Sequence, residues 1–377
     1  MKILIVIDQY DNLSNGTTIS AKRFVDGLRK AGNEVQVLST GKDDENKFAL
    51  KTYKFPKIID KYFKANEMVF AKPDEDVMRN VFKDQDVIHF YMPFALARKG
   101  VKIAEEMHIP HTTAFHVQPE NITYAVGLGT NHRINDKIYT YFRSYFNKFR
   151  HIHCPSNFIA KQLEDHGYTA KLHVISNGVD EEFKFDRKEK PEELKDKIVI
   201  TMVGRYSPEK RQDVLIEAVK KSKYADKIQL ILGGKGQCYE EYKKLSKDLK
   251  NEPIMQFLPK EELIKVLSYT DIYVHSADAE IEAISCLEAI ACGNVPIISN
   301  SDESATVQFA LNEESLFEHG NSEDLAKKID YFIDNPKHLE EMRKKYAEFA
   351  NKFRIDNSIK LMEKMFEEEI GEYGKEK

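Results

Sequence analysis

Residues 271–299, DIYVHSADAEIEAISCLEAIACGNVPIIS, decide the fold. A short apolar run bounded by polar residues, Asp271 to Ser276, reads as a buried strand, and NVPIIS (294–299) reads as a second. Between them, residues from Glu282 to Cys292 carry helix formers and are closed by Gly293, a helix stop. Two strands with an intervening helix form a βαβ unit, which places both strands in parallel in one sheet. Glu280 then falls in the strand-to-helix loop and Glu288 about two turns inside the helix. Glu288 sits among Ile284, Cys286, Leu287, Ala289, Ile290 and Ala291. An unpaired carboxylate would be costly in such a setting, so the residue calls for a partner.

The same alternation runs outward in both directions. KIVITMVG (197–204) and KIQLILGG (227–234) precede the quoted stretch, and KILIVID (2–8), EVQVLS (34–39), DVIHFY (86–91) and HTTAFH (111–116) form an earlier set. Helix 18–30 ends in Lys30-Ala-Gly32, a basic last turn followed by a glycine. Between the two sets lies FKFDRKEKPEELKDK (183–197), charged and without apolar period, which reads as a linker. The expectation is an α/β chain of two Rossmann-like, doubly wound domains facing across a cleft: 1–185, 186–355, and a helix in 356–377 returning to the first. That helix sets Ile359, Met362, Met365 and Phe366 on one stripe.

At 377 residues and 41% hydrophobic, the chain has enough apolar surface for two cores. The net charge of −5 argues against general nucleic-acid binding. Charge is unevenly spread: residues 1–185 hold 26 basic against 23 acidic side chains, leaving 31 against 39 in the remainder. The four scattered cysteines contain no CxxC pair, which predicts neither disulfides nor zinc. No run reaches membrane-spanning length, so any membrane contact is expected to be peripheral.

Arg205 and Lys210 follow the strand 198–203 in the loop GRYSPEK (204–210). Ser207-Pro208 is a plausible start for a helix over 209–222, so two cations are expected beside a helix N-terminus at the carboxyl end of a strand, a natural place for a diphosphate. The alternative is an ordinary solvated turn. His116 ends the strand 111–116, and Gly16 lies in LSNGTT after the first strand. Gly233-Gly-Lys-Gly236 lacks the spacing of a dinucleotide fingerprint. Asp84-Gln-Asp86 reads as a polar strand entry rather than a metal site.

These residues resemble the retaining GT-B glycosyltransferases of family 4. The E-x7-E signature (Glu280, Glu288), the G-R-x4-K loop and the turn Ile175-Ser-Asn-Gly-Val-Asp180 carry the resemblance, which runs from about residue 2 to 370. The strings AFHVQPENITY (114–124), IHCPSNFI (152–159) and SATVQFALNEESLFE (304–318) are similar to the bacterial branch that glucosylates membrane lipids, diacylglycerol or sterol. The resemblance implies that Arg205 and Lys210 grip the donor diphosphate, that Glu288 binds ribose, and that Glu280 lies against the sugar hydroxyls. It also implies that His116 faces the anomeric carbon, with Gly16, Gly204, Gly234, Ala283 and Ile284 completing the donor site. Glu282-Ala283 stands where the family usually has Phe-Gly, which leaves the assignment between Glu280 and Glu282 open. The donor implied is a UDP-sugar, UDP-glucose first, with no obligatory cofactor or metal.

Two basic, aromatic stretches suggest an acceptor surface. RINDKIYTYFRSYFNKFR (133–150) sets Ile134, Ile138, Tyr141, Tyr145 and Phe149 on a helical stripe flanked by Arg133, Lys137 and Arg143. Residues 47–64 hold six lysines, Lys54, Lys57 and Lys61 among them, against one acid. The expected partners are a lipid acceptor and an anionic membrane surface at the cytoplasmic face. Transfer to a soluble glycan or glycoprotein, and a non-catalytic nucleotide-sugar-binding module, stay open as alternatives.

Overall fold

The computed structural model describes residues 1–11, 16–57, 60, 63, 68–125, 127–129 and 131–376. The chain forms two compact units. The first comprises Met1–Thr123, Thr130–Gly178 and Ile355–Lys377, and the second Tyr124–Gly129 and Val179–Arg354.

The first unit is built on a parallel sheet of seven strands: β1 (Lys2–Val6), β2 (Glu34–Thr40), β3 (Lys47–Leu50), β4 (Val87–Phe90), β5 (His111–Ala114), β6 (His151–Cys154) and β7 (Lys171–Val174), in the order β3-β2-β1-β4-β5-β6-β7. β4, β5 and β6 are buried throughout, as strands of a parallel sheet covered on both faces are. The order reverses between β1 and β4, and loops at such a switch point leave a crevice at the carboxyl ends of the strands.

Helix Gly16–Lys30 lies against the C-terminal helix Ile355–Tyr373. Ile359, Met362, Met365 and Phe366 are buried with Phe24, Val25 and Leu28 in the core of this unit. Each contributes about 2 kcal/mol of burial. The two helices approach so closely that a Cβ on Gly27 would stand 2.6 Å from the Ile359 side chain. The Asn-Gly turn is tied in by Ser20, whose hydroxyl lies 2.5 Å from Asn177 Oδ1, and by Arg23, which donates to the Gly178 carbonyl at 2.9 Å. Gly178 has φ +74, and a side chain there would meet the backbone of Ile355.

The second unit repeats the plan with six parallel strands: β8 (Ile198–Val203), β9 (Ile228–Gly233), β10 (Ile254–Gln256), β11 (Ile272–His275), β12 (Pro296–Asn300) and β13 (Leu316–Glu318). Their order is β10-β9-β8-β11-β12-β13, so the switch point falls between β8 and β11.

The segment 183–197 is not a free linker. Phe183 and Leu194 are buried in the second core, and Arg187 and Lys190 both approach the Asp271 carboxylate. Its charges, which obscured any apolar period, are partly spent on that one acid. The change of unit accordingly lies at Gly178/Val179, ahead of the boundary expected at 185.

Candidate active site

All donor-site candidates except Gly16 lie in the second unit, and they gather at its switch point. β8 ends at Val203, and the loop that follows is braced by the turn after β9. Gly204 donates its N–H to the Gly233 carbonyl at 2.9 Å, and Tyr206 donates to Lys235 O at 3.0 Å. The two backbones touch: a Cβ on Gly234 would lie 2.0 Å from Gly204 O, and one on Gly236 would lie 2.4 Å from Tyr206 O. The glycine cluster is thus a seam that lets one loop rest on another. Tyr206 is buried and donates to Leu232 O at 2.6 Å, which anchors the residue next to Arg205. The Arg205 guanidinium itself is 44% exposed, 3.3 Å from the buried Glu209 carboxylate, so it is held yet reachable.

The helix expected over 209–222 is divided. Pro208–Lys210 forms a single 3₁₀ turn, Arg211 is left-handed at φ 53, and the α-helix runs from Gln212 to Lys221. Ser207 does not cap it, because its hydroxyl donates to Glu209 at 2.6 Å. The break turns Lys210 and Arg211 toward the loop after β11. The Ser276 hydroxyl bonds the Arg211 carbonyl at 2.8 Å, and Asp278 N–H donates to Glu209 O at 2.8 Å.

Glu280 is the centre of this arrangement. Its Oε1 lies 2.5 Å from Lys210 Nζ and 3.0 Å from His275 Nε2. Burial alone would push its carboxyl up, but Lys210 and His275 override that and hold it at about 2, so the carboxylate stays ionised. Its backbone pairs with Ser304, and Ala305 N–H donates to Glu280 O at 2.9 Å. Glu282, in contrast, is 1% exposed. Glu280 is in contact with the Lys210 ammonium.

The helix after this loop spans Ile284–Ala291, two residues later than expected at its start. Ala283 accounts for the delay with φ 63 and ψ 69, a left-handed conformation that costs an L residue roughly 1–2 kcal/mol. This is the position where the resembling family has glycine, and the backbone geometry supplies the reason. Ser285 ties the helix to β8 by donating to Val203 O at 2.8 Å, and Glu288 is buried within it.

Several residues at this site were missed in the sequence. The Asp278 carboxylate is 3% exposed and accepts from Tyr124 Oη at 2.8 Å and Arg211 Nη1 at 3.2 Å, with His319 Nδ1 3.4 Å away. Burial disfavours the charge on Arg211, yet Asp213 and Asp278 more than offset it and raise its pKa. Asp278 and Arg211 adjoin Glu280 and Lys210 in sequence, so the visible signal was their place at the carboxyl ends of β8 and β11.

In the first unit, His116 is buried two residues past the end of β5. Its ring stacks on Tyr91 at 5.1 Å and meets His153 edge-on at 5.3 Å. Neither ring nitrogen has a hydrogen-bond partner among the described residues. Burial, and after it His153, lowers its pKa well below the ordinary value, so the imidazole is neutral. Gly16 opens the helix Gly16–Lys30 and is exposed. Asp8 was not singled out as a site residue from sequence. It is buried just past β1, accepts from Ala71 N–H at 2.9 Å, and burial pushes its carboxyl up to about 7. The Asp84-Gln-Asp86 segment is a strand entry: Asp86 accepts the Lys2 N–H at 2.7 Å.

The acceptor-surface residues divide. Lys54, Lys57, Arg133, Lys137 and Tyr141 are exposed, and Lys61 lies outside the described residues. Tyr145 and Phe149 are buried at 1% and 4%, so the expected stripe is corrected: they belong to the core and not to an outer face. Arg143 is half-buried and donates to His166 O at 3.0 Å. Helix His132–Phe146 buries Asn135, Tyr139, Phe142, Tyr145 and Phe146. With aromatics at so many positions, more than one helical stripe was available, and packing selected a different one.

Residues 14–183 match the family model "Glycosyltransferase Family 4" and residues 183–353 match "Glycosyl transferases group 1". An alpha-monoglucosyldiacylglycerol synthase of Acholeplasma laidlawii is 24% identical over 376 residues, 93% of each chain. The catalytic domain of cholesterol-alpha-glucosyltransferase from Helicobacter pylori is 47% identical, covering 41% of this chain and 98% of that one, with a TM-score of 0.41. Anabaena Alr3699/HepE, solved in complex with UDP and glucose, superposes with a TM-score of 0.75 over 97% of this chain and 99% of that chain, at 14% identity. With two doubly wound parallel sheets and these two models meeting end to end, the chain belongs to the GT-B glycosyltransferases of family 4.

Proposed function

We propose that this glycosyltransferase moves glucose from UDP-glucose to a hydroxyl of a membrane lipid, with retention, giving an α-glucoside. The observation that carries the reading is the meeting of Arg205, Lys210, Glu280 and the helix Ile284–Ala291 at the β8/β11 switch point. Cations and helix N–H groups favour a diphosphate, and carboxylates accept hydrogen bonds from sugar and ribose hydroxyls. Arg205 and Lys210 stabilise the charge that grows on the departing UDP as the bond between anomeric carbon and phosphate oxygen breaks. The acceptor oxygen attacks on the face being vacated, and the leaving phosphate oxygen takes its proton. Glu288 holds the ribose. The exposed lysines Lys54 and Lys57, with Arg133, Lys137 and Tyr141, dock the enzyme on the anionic inner face of the cell membrane. The name of the Acholeplasma relative supports a diacylglycerol-based acceptor.

The test is a donor and acceptor screen. UDP-glucose, UDP-galactose, UDP-N-acetylglucosamine and GDP-mannose are each incubated with enzyme and anionic vesicles containing diacylglycerol or a sterol. Products are read by mass spectrometry and the anomeric coupling by NMR. An α-linked glucolipid formed from UDP-glucose is expected. A β-linkage, or transfer to soluble glycans alone, overturns the proposal.

A further inference from the structure

Among the described residues, one group of metal-competent donors lies apart from the residues considered so far. His151, His173 and Glu368 each offer one ligand atom, and these atoms lie within 4.8 Å of one another. The two histidines come from adjacent parallel strands, β6 and β7, and Glu368 from the C-terminal helix. All three belong to the first unit.

Three features favour a metal over a plain hydrogen-bonded cluster. First, His151 Nδ1 and His173 Nε2 face each other at 2.7 Å, so a single proton must now be shared between two imidazoles. Second, the other nitrogen of His151 faces carboxylates, Glu372 Oε2 at 3.1 Å and Glu369 Oε2 at 3.6 Å. A proton held there leaves the Nδ1 lone pair directed at His173, which is how outer carboxylates orient a ligating histidine. Third, Glu368 Oε2 is 3.8 Å from His173 Nε2. In a tetrahedral site with bonds of about 2.0–2.1 Å, donor atoms stand roughly 3.3 Å apart, so the first separation opens and the second closes by about half an ångström, while the third, within 4.8 Å, closes by up to about 1.5 Å. His151 is fully buried, while His173 and Glu368 are 13% and 27% exposed, giving the ion a route in and a place for water as fourth ligand.

We propose that His151, His173 and Glu368 bind a tetrahedral divalent transition ion of the Zn²⁺ type, which pins the C-terminal helix to the β6/β7 edge of the first sheet. Binding releases the proton shared by the two imidazoles. Lys171, whose Nζ lies 2.5 Å from Glu368 Oε2, competes with the ion for that carboxylate.

The experiment uses the full chain, untagged, stripped with chelator and titrated with Co²⁺, then with Zn²⁺ in competition. Wild type should give the visible absorption of one four-coordinate Co²⁺ per chain, and Zn²⁺ should slow amide exchange in residues 355–373. His173→Asn and Glu368→Gln should each weaken Co²⁺ at least tenfold, and Glu372→Gln, acting through His151, about tenfold. His151 is left intact because it is fully buried. Circular dichroism of the metal-free variants checks folding; if His173→Asn is misfolded, Glu368→Gln carries the test. A wild-type chain without the Co²⁺ spectrum overturns the site, as do folded variants that bind as tightly as wild type.

Discussion

Lys210 Nζ lies 2.5 Å from Glu280 Oε1, so the cation assigned to the donor's diphosphate and the carboxylate assigned to its sugar neutralise each other. A pyrophosphate that takes Lys210 must loosen this pair, and His275, 3.0 Å from the same oxygen, remains to hold Glu280. In the proposed function the pair is a two-position contact, closed on itself or opened onto the two ends of the donor.

Opposite effects of the two substitutions on UDP binding follow from that contact. Glu280→Gln frees Lys210 and should bind UDP severalfold more tightly while slowing transfer. Lys210→Ala should bind UDP more weakly and lower turnover by roughly a hundredfold or more. The double variant should fall short of the product of the single effects, because the two residues touch. Calorimetry with UDP and initial rates with UDP-glucose measure both. Looser UDP binding by Glu280→Gln would count against the proposed competition.

Ala283 holds a left-handed backbone just before helix Ile284–Ala291. Ala283→Gly removes the clash of Cβ and should raise stability by up to about 1 kcal/mol, part of the gain being cancelled by greater freedom of the unfolded chain. Denaturant midpoints would report it. A destabilised variant would mean that the alanine methyl packs favourably.

Asp8 sets a pH dependence. Its folded-state pKa is raised to about 7 by burial, so between roughly pH 4 and 7 the folded chain holds a proton that the unfolded chain has released. The stabilisation is complete below the unfolded pKa and is lost as pH rises through about 7, by roughly 4 kcal/mol at most. Asp8→Asn should remove this slope, making the variant the more stable chain at pH 8 relative to its standing at pH 5. Melting curves across that range decide it, and parallel profiles would reject the assignment.

Exposure separates the tyrosines of helix His132–Phe146. Tyr141 is 61% exposed, while Tyr145 is 1% exposed. Neutralising Lys54, Lys57, Arg133 or Lys137 should weaken binding to anionic vesicles by about 1 kcal/mol each, roughly fivefold, and high salt should do the same. Tyr141→Ser should weaken it without loss of folding, whereas Tyr145→Ser should lower the melting temperature and leave any residual folded protein able to bind. Flotation assays distinguish the two. Unchanged binding on neutralising all four cations would remove this face from consideration.

Eight strands were legible, most of them because their runs are dominated by apolar residues, and the Arg205/Lys210 loop because cations beside a strand end are conspicuous. β3 was hidden within the lysine-rich stretch, where Lys47 is buried and ion-paired with Asp11 at 2.7 Å. Short β10 and β13, three residues each, carry too few side chains to set a period. Arg211 and Asp278 escaped for a different reason. Their pairing joins residues 67 positions apart, and no local pattern announces a contact across the sheet. The early break of the helix after Lys210 depends on Arg211 adopting φ 53, a choice imposed by its neighbours and not by its propensity.

The interleaving of the chain has a consequence for its birth. Because Ile355–Lys377 completes the body that begins at Met1, a ribosome must finish Val179–Arg354 before that body can close. The middle of the polypeptide is thus the part free to mature first, while nascent Phe24, Val25 and Leu28 wait for a hydrophobic cover still to be translated, which gives chaperones a defined stretch to shield.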